Sequence, residues 1–254
     1  MRTALVIMII LGFGFIRLPL EHSIAQEHKN AYFRSAELGL GLREQIGQLS
    51  YLAALSGFRS LVADAMWIQA HSAWERTEWG KMYRLFNNVT TLQPRMLMFW
   101  DMAAWHMAWN ASVAAMNDES QPREALRVRE QWRYFDLGKD FLERGIKNNP
   151  DRYLLYERLG VLYRDKYQDY CNAAEQFGKA AAIEGSPAYN NRFYGYMLAK
   201  CEGKEKEAYE HLKLLYDSGE DQHLPSLITS LVELEEKLNI PQDQRINKKP
   251  QEQP

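Results

Sequence analysis

Two histidines have carboxylates close by along the chain: Asp64 and Glu75 flank His71, and Asp101 precedes His106. Imidazole and carboxylate groups of this kind, once gathered, can hold a divalent metal or move a proton. Their spacing fixes no shared geometry, and a histidine on a helix is more often a core or surface residue than a ligand. The expectation is therefore no metal, no cofactor and no catalytic residue. The chain contains no G-x-x-x-x-G-K-[ST], H-E-x-x-H or G-x-S-x-G sequence, so phosphate-loop, zincin and serine-hydrolase chemistry lack support. Cys171 and Cys201, the only cysteines, form no C-x-x-C or zinc-type spacing. Asn88-Val89-Thr90 and Asn110-Ala111-Ser112 match the N-glycosylation pattern but fall inside helical stretches, where the match is incidental. What stands out is aromatic. All seven tryptophans lie between Trp67 and Trp132, and Met96, Met98, Met102, Met107 and Met116 lie along one stretch. Such a set suits either a protein-binding surface or the core of long helices.

The 254 residues are 46% hydrophobic and 25% charged, enough to bury a full core. A formal net charge of −2 and the absence of a basic cluster exclude nucleic acid as the expected partner. Arg2 followed by the apolar run from Thr3 to Ile16 reads as an export signal, whose apolar core is usually ~7–15 residues. Ser23-Ile24-Ala25 offers small residues at a cleavage site. Alternatively, residues 3–20 with Arg17 snorkelling form a retained membrane anchor. Both place the remainder in the cell envelope, exported or membrane-anchored, which is the expectation over the remaining alternative, a buried N-terminal helix of a cytosolic protein.

The elements that position these residues are set by periodicity. Residues 26–41 read as a tether, and Leu42 to Leu55 have the apolar spacing of a capping helix. Apolar spacing and closing prolines divide residues 58–220 into helix pairs of about 58–94, 95–150, 151–187 and 188–220. The second pair is long, broken at Asn117–Pro122, and the stretch 224–238 reads as an amphipathic C-terminal cap. Residues 241–254, rich in Gln, Pro and Lys, are expected to be disordered. No stretch alternates apolar and polar residues long enough for a strand, so the class is all-α.

Residues 151–187 state the repeat most plainly: Tyr156, Leu159, Gly160 and Tyr163 on one helix, Ala173, Phe177 and Ala180 on the next, then Pro187. This succession resembles the tetratricopeptide repeat (TPR), two helices over about 34 residues. Asn191, Tyr194, Gly195 and Leu198, with Ala208, Leu212 and Leu215, resemble it again. Gly57-Phe58-Arg59-Ser60-Leu61, Ala63 to Trp67, Leu92-Gln93-Pro94 and Trp105 to Asn110 also resemble a group of uncharacterised bacterial proteins that join a membrane segment to degenerate repeats. The resemblance implies a right-handed α-solenoid of about four TPR-like helix pairs between capping helices, residues 42–240 in all. It also implies groove positions: Trp67, His71 and Trp74; Asp101, Trp105 and Trp109; Leu154, Glu157, Val161 and Arg164; Tyr189, Arg192 and Tyr196. The Lys and Asn that clamp a C-terminal carboxylate in the best-known peptide-binding members are replaced here by Glu157 and Val161, and by Arg192 and Tyr196. In this repeat frame the two cysteines fall at turns on one edge of the solenoid, between helices ~10 Å apart. A disulfide is open to an exported chain; two buried or half-buried free thiols are the simpler expectation. The function implied is a non-catalytic scaffold or adaptor of the cell envelope that binds a partner peptide or helix in its groove. A structural subunit of a membrane-associated assembly and a small-ligand or metal-binding protein are the alternatives.

Overall fold

The computed structural model describes Tyr51 and residues 57–246. The signal or anchor, the tether and all but Tyr51 of the first capping helix lie outside the described residues. Helices α1 (Arg59–Glu75) and α2 (Trp79–Leu92) form the first antiparallel pair. Helix α3 (Leu97–Trp105) continues through a π-helical segment, His106–Ala111, into α4 (Ser112–Met116). Its partner is the long α5 (Glu124–Asn148). Helix α6 (Tyr153–Leu162), extended by a second π-helical segment, Tyr163–Tyr167, pairs with α7 (Tyr170–Ala181). Helices α8 (Ala188–Lys200) and α9 (Glu205–Asp217) come next, then α10 (Pro225–Lys237). The described residues contain no strand, and the helices stack in successive pairs as an α-solenoid. No helix among the described residues is long and apolar enough to cross a membrane.

The pairs end where backbone chemistry requires it. Pro94, Pro150 and Pro187 come after helix ends, and Gln168, at φ 55°, closes the second π-helical segment in the left-handed region. Asp169 then caps α7, its Oδ1 accepting from the Asn172 N–H at 3.0 Å. Neighbouring turns are tied to each other. The Pro94 carbonyl accepts from Trp100 Nε1 at 2.9 Å and from Asn149 Nδ2 at 2.8 Å, so the end of the first pair is joined to the end of the second.

Two main cores result. The first combines small and large side chains, Ala70, Ala73, Ala103 and Ala108 against Phe86, Met107, Phe141 and Leu155. The second gathers Ala173, Phe177, Met197, Leu212, Leu227 and Leu231 from α7 to α10. Alternating sizes let the helices approach closely, and fully burying each large side chain contributes about 1.5–3 kcal/mol.

Two expectations need correction. Cys171 and Cys201 are joined in a disulfide, with Cα atoms 4.9 Å apart. The bond spans the start of α7 and the residue after α8, because these ends meet far more closely than the axes of neighbouring helices. The tail, expected to be disordered from residue 241, instead folds back as far as Ile246. Gln242–Gln244 make a 3-10 turn, the Ile246 side chain is buried in the second core, and its N–H donates to Glu235 Oε1 at 2.7 Å. A buried Glu235 carboxylate needs donors, and this one comes from the returning chain.

Candidate functional site

The first π-helical segment lies beside a cleft of about 420 Å³. Asp101, Met102, Ala104 and Trp105 line it from α3 and Trp109 from the π-helical segment; Leu142 contributes from α5, Arg158 and Val161 from α6, and Asp165 from the second π-helical segment. A π-helical turn carries one more residue than an α-turn and often marks a functional position. The cleft depends on close backbone approach. A Cβ on Gly138 of α5 would lie 2.7 Å from Ala108 Cβ and 2.9 Å from the Ala104 carbonyl oxygen, so glycine lets α5 seat against this part of the chain.

Charge at the cleft is organised around Arg158. Its Nε donates to Asp101 Oδ1 at 3.1 Å and its Nη1 to Glu157 Oε1 at 3.2 Å. Burial raises the Asp101 pKa above the ordinary carboxylate value despite the opposing pull of Arg158. Asp165 is held by Arg164, Nε to Oδ1, at 2.6 Å. The Lys166 ammonium stands 5.0 Å from the Trp109 ring centre.

A second cleft, of about 520 Å³, lies further along the solenoid. Its lining includes Arg164, Phe193, Tyr196, Lys200, Glu233 and Lys237. Sequence neighbours in the second π-helical segment line them, Asp165 the first and Arg164 the second. The first cleft draws on α3, α5 and α6 and the second on α8 and α10.

No protein-family model matches the chain, and no curated protein matches it. Among solved structures, one described as "MamA RS-1 ArsTM double mutant" is 15% identical at a TM-score of 0.36, covering 81% of this chain and 100% of its own. Another, "Crystal structure of MamA protein", is 15% identical at a TM-score of 0.30, covering 74% and 98%. At these identities and scores the likeness carries no argument about function. The site must be read from its own residues.

The structure distributes the sequence-derived groove positions over three settings. Asp101, Trp105, Trp109 and Val161 share the first cleft, and Arg164 and Tyr196 the second. Trp67 instead packs into the core, its ring 5.4 Å from Phe86 and 5.1 Å from Phe99. Trp74 is half-buried beside His106, and His71 is exposed, 3.7 Å from Glu75. Leu154 is half-buried on α6. Glu157 is buried between α6 and α8, accepting from Tyr189 Oη at 2.8 Å and Asn190 Nδ2 at 3.2 Å. It joins two helix pairs rather than facing a ligand. Arg192 donates to Gln222 at 3.1 Å, and Tyr196 exchanges a hydrogen bond with Ser226 at 3.0 Å. The sequence-derived positions omit Arg158, Asp165, Leu142, Phe193, Lys200 and Lys237, which also line the clefts.

The histidine cluster does not assemble: among the described residues no three His, Cys, Asp or Glu side chains converge as metal ligands. His106 is packed as a neutral ring. It lies 5.6 Å from Phe86 in a stacked arrangement, its edge contacts Trp105 and Trp74, and Nδ1 accepts from Asn110 Nδ2 at 3.0 Å. Burial, with a smaller contribution from His71, lowers its pKa to about 4. The native pKa is depressed, so an unfolded chain binds a proton near pH 6.5 that the native chain refuses until about pH 4. Stability should therefore be fully present above pH 6.5 and fall by on the order of 2 kcal/mol down to pH 4. Urea denaturation across that range checks this: His106→Phe should flatten the dependence, and an unchanged slope would show that His106 is not its source.

Proposed function

We propose that this chain is a non-catalytic scaffold of the bacterial cell envelope that binds another protein along its groove. One observation carries the reading: two clefts, each built by side chains from more than one helix pair, are lined by the sequence neighbours Asp165 and Arg164. Rigid stacked helices suit such extended recognition, and exposed aromatic and arginine side chains are the types that dominate binding energy. The envelope assignment draws support from the apolar run at residues 3–16 and from the Cys171–Cys201 bond, since structural disulfides persist in oxidising compartments.

The test is capture of partners from detergent-solubilised envelope with the full chain and two variants, Trp105→Ala in the first cleft and Tyr196→Ala in the second. Both side chains are partly solvent-exposed, so each variant should keep its melting temperature within a few degrees while binding of a reproducible partner falls at least about tenfold, the loss of one hot-spot side chain. If both variants retained the partner at wild-type level, the groove would not be the binding surface.

A second reading, a fixed subunit of a larger assembly, is favoured by the outer face of α1. Leu61 and Ile68 there are 63% and 68% exposed, with Phe58 just before them at 48%. Light scattering on the purified full chain separates the two: a fixed subunit produced alone should self-associate through this stripe, whereas the scaffold should remain monomeric.

A further inference from the structure

Within that scaffold reading, the geometry of the first cleft points to a specific anchor: it accepts a basic side chain, the guanidinium or ammonium of a partner polypeptide, between Trp105 and Asp101. Four observations converge. Leu142, Val161, Ala104 and Met102 give the cleft an apolar floor suited to the alkyl stem of arginine or lysine. Trp105 at its rim is 43% exposed, a large ring available to a cation. Trp109, which lines the cleft, already engages in this chemistry, because the Lys166 ammonium stands 5.0 Å from its ring centre.

The fourth observation is the state of the charges. Around the cleft, Asp101, Glu157 and Asp165 stand against Arg158, Arg164 and Lys166, so the sum is balanced, but the groups are not equally engaged. Arg158 is shared by two carboxylates, and Arg164 gives two donors to Asp165. Asp101 receives one donor on Oδ1, and among the described residues Oδ2 receives none. Asp101 is therefore the carboxylate with an oxygen to offer. An incoming cation supplies the missing donor, lies against indole, and relieves the desolvation that burial imposes on the carboxylate. An acidic partner side chain would lie against Asp101 and Asp165 and find Arg158 as the one lining cation, its Nε and Nη1 already given to Asp101 and Glu157, and a neutral one would leave Oδ2 as it is.

The probe is Nα-acetyl-arginine amide, titrated into the full chain carrying 5-fluorotryptophan and followed by fluorine NMR. Trp105→Phe and Trp109→Phe assign their two resonances among those of the seven tryptophans. The expected result is a saturable shift of the Trp105 resonance. The citrulline amide, of nearly the same shape but uncharged, and acetyl-glutamate amide should give none. Asp101→Asn should weaken the affinity about fivefold, the effect of losing a partly screened ion pair. Arg158 keeps Glu157 as partner in that variant, so the fold is retained. Trp105→Leu gives a second, independent variant, read at Trp109. Equal shifts with citrulline amide, or unchanged affinity in Asp101→Asn, would overturn the assignment. Failure of the scaffold reading is distinguishable. Loss of partner capture in Trp105→Ala without arginine amide binding sinks only the basic anchor; arginine amide binding with no captured partner sinks only the scaffold.

Discussion

Reduction of the Cys171–Cys201 bond should lower the melting temperature by about 10 °C, with the loss confined to the C-terminal half. The bond joins residues 30 apart in sequence, and closing a loop of that length removes about 3.5 kcal/mol of unfolded-state entropy in the chain-entropy account. For a chain of this size each kcal/mol moves the midpoint by roughly 2–4 °C. Where the loss appears is set by the solenoid, because each helix pair contacts mainly its neighbours. The cross-link ties the start of α7 to the end of α8, two helices that build the second core; the first core, built from α1 to α6, lies outside it. Hydrogen exchange on reduced protein should therefore show lost protection in α8 to α10 and unchanged protection in α1 to α5. Cys201 is 5% exposed, so a serine there would add an unsatisfied hydroxyl to the effect, and the double variant Cys171→Ala, Cys201→Ala is the cleaner genetic test. Titration of two free thiols in native, air-handled protein would refute the bond itself. Uniform loss of protection across all helices would refute the near-neighbour account.

That bond also shows where sequence reading stops. The helix pairs are legible because their packing is local and repetitive. Gly160, for example, lies where a Cβ would come 3.0 Å from the Phe177 ring, a tight approach, and the same small-against-aromatic contact writes itself into the spacing of the repeat. The cysteine pair depends on something finer, the placement of a helix start and a helix end to within a few ångströms. Repeat geometry supplies only the ~10 Å between helix axes. The π-helical segments are hidden for a related reason. Leu97 to Ala111 is apolar on nearly every side, so one inserted residue leaves no visible break in periodicity. Arg158 and Glu157 illustrate the cost at the site. Adjacent residues on a helix point about 100° apart, so a one-residue shift of frame exchanges a cleft arginine for a buried carboxylate. The carried-over positions therefore name cleft residues and inter-helix residues alike.

Two glycine-to-alanine substitutions should move stability in opposite directions, and the contrast tests how the cleft is built. At Gly80, in the first turn of α2, an added Cβ meets only the tip of Arg84, at 3.8 Å. Alanine there reduces unfolded-chain entropy and favours the helix, so Gly80→Ala should stabilise by about 0.5 kcal/mol. At Gly138 the same helical preference is opposed by contacts at 2.7 Å to Ala108 Cβ, 2.9 Å to the Ala104 oxygen and 3.2 Å to the Ala108 nitrogen. Two of these are backbone atoms and the third is a methyl fixed to the backbone, so no side chain can rotate away. Helix α5 must separate from α3 and the π-helical segment. Gly138→Ala should then destabilise by about 1–3 kcal/mol even after the propensity gain, as overpacked cores do. The displacement falls on the residues between which Trp105 stands, so arginine amide affinity should drop with stability in Gly138→Ala and stay unchanged in Gly80→Ala. Denaturant midpoints and the same fluorine titration read both quantities. If Gly138→Ala instead stabilised the chain as Gly80→Ala does, α5 would not be seated against α3 at contact distance, and the cleft between Trp105 and Leu142 would lack the wall that shapes it.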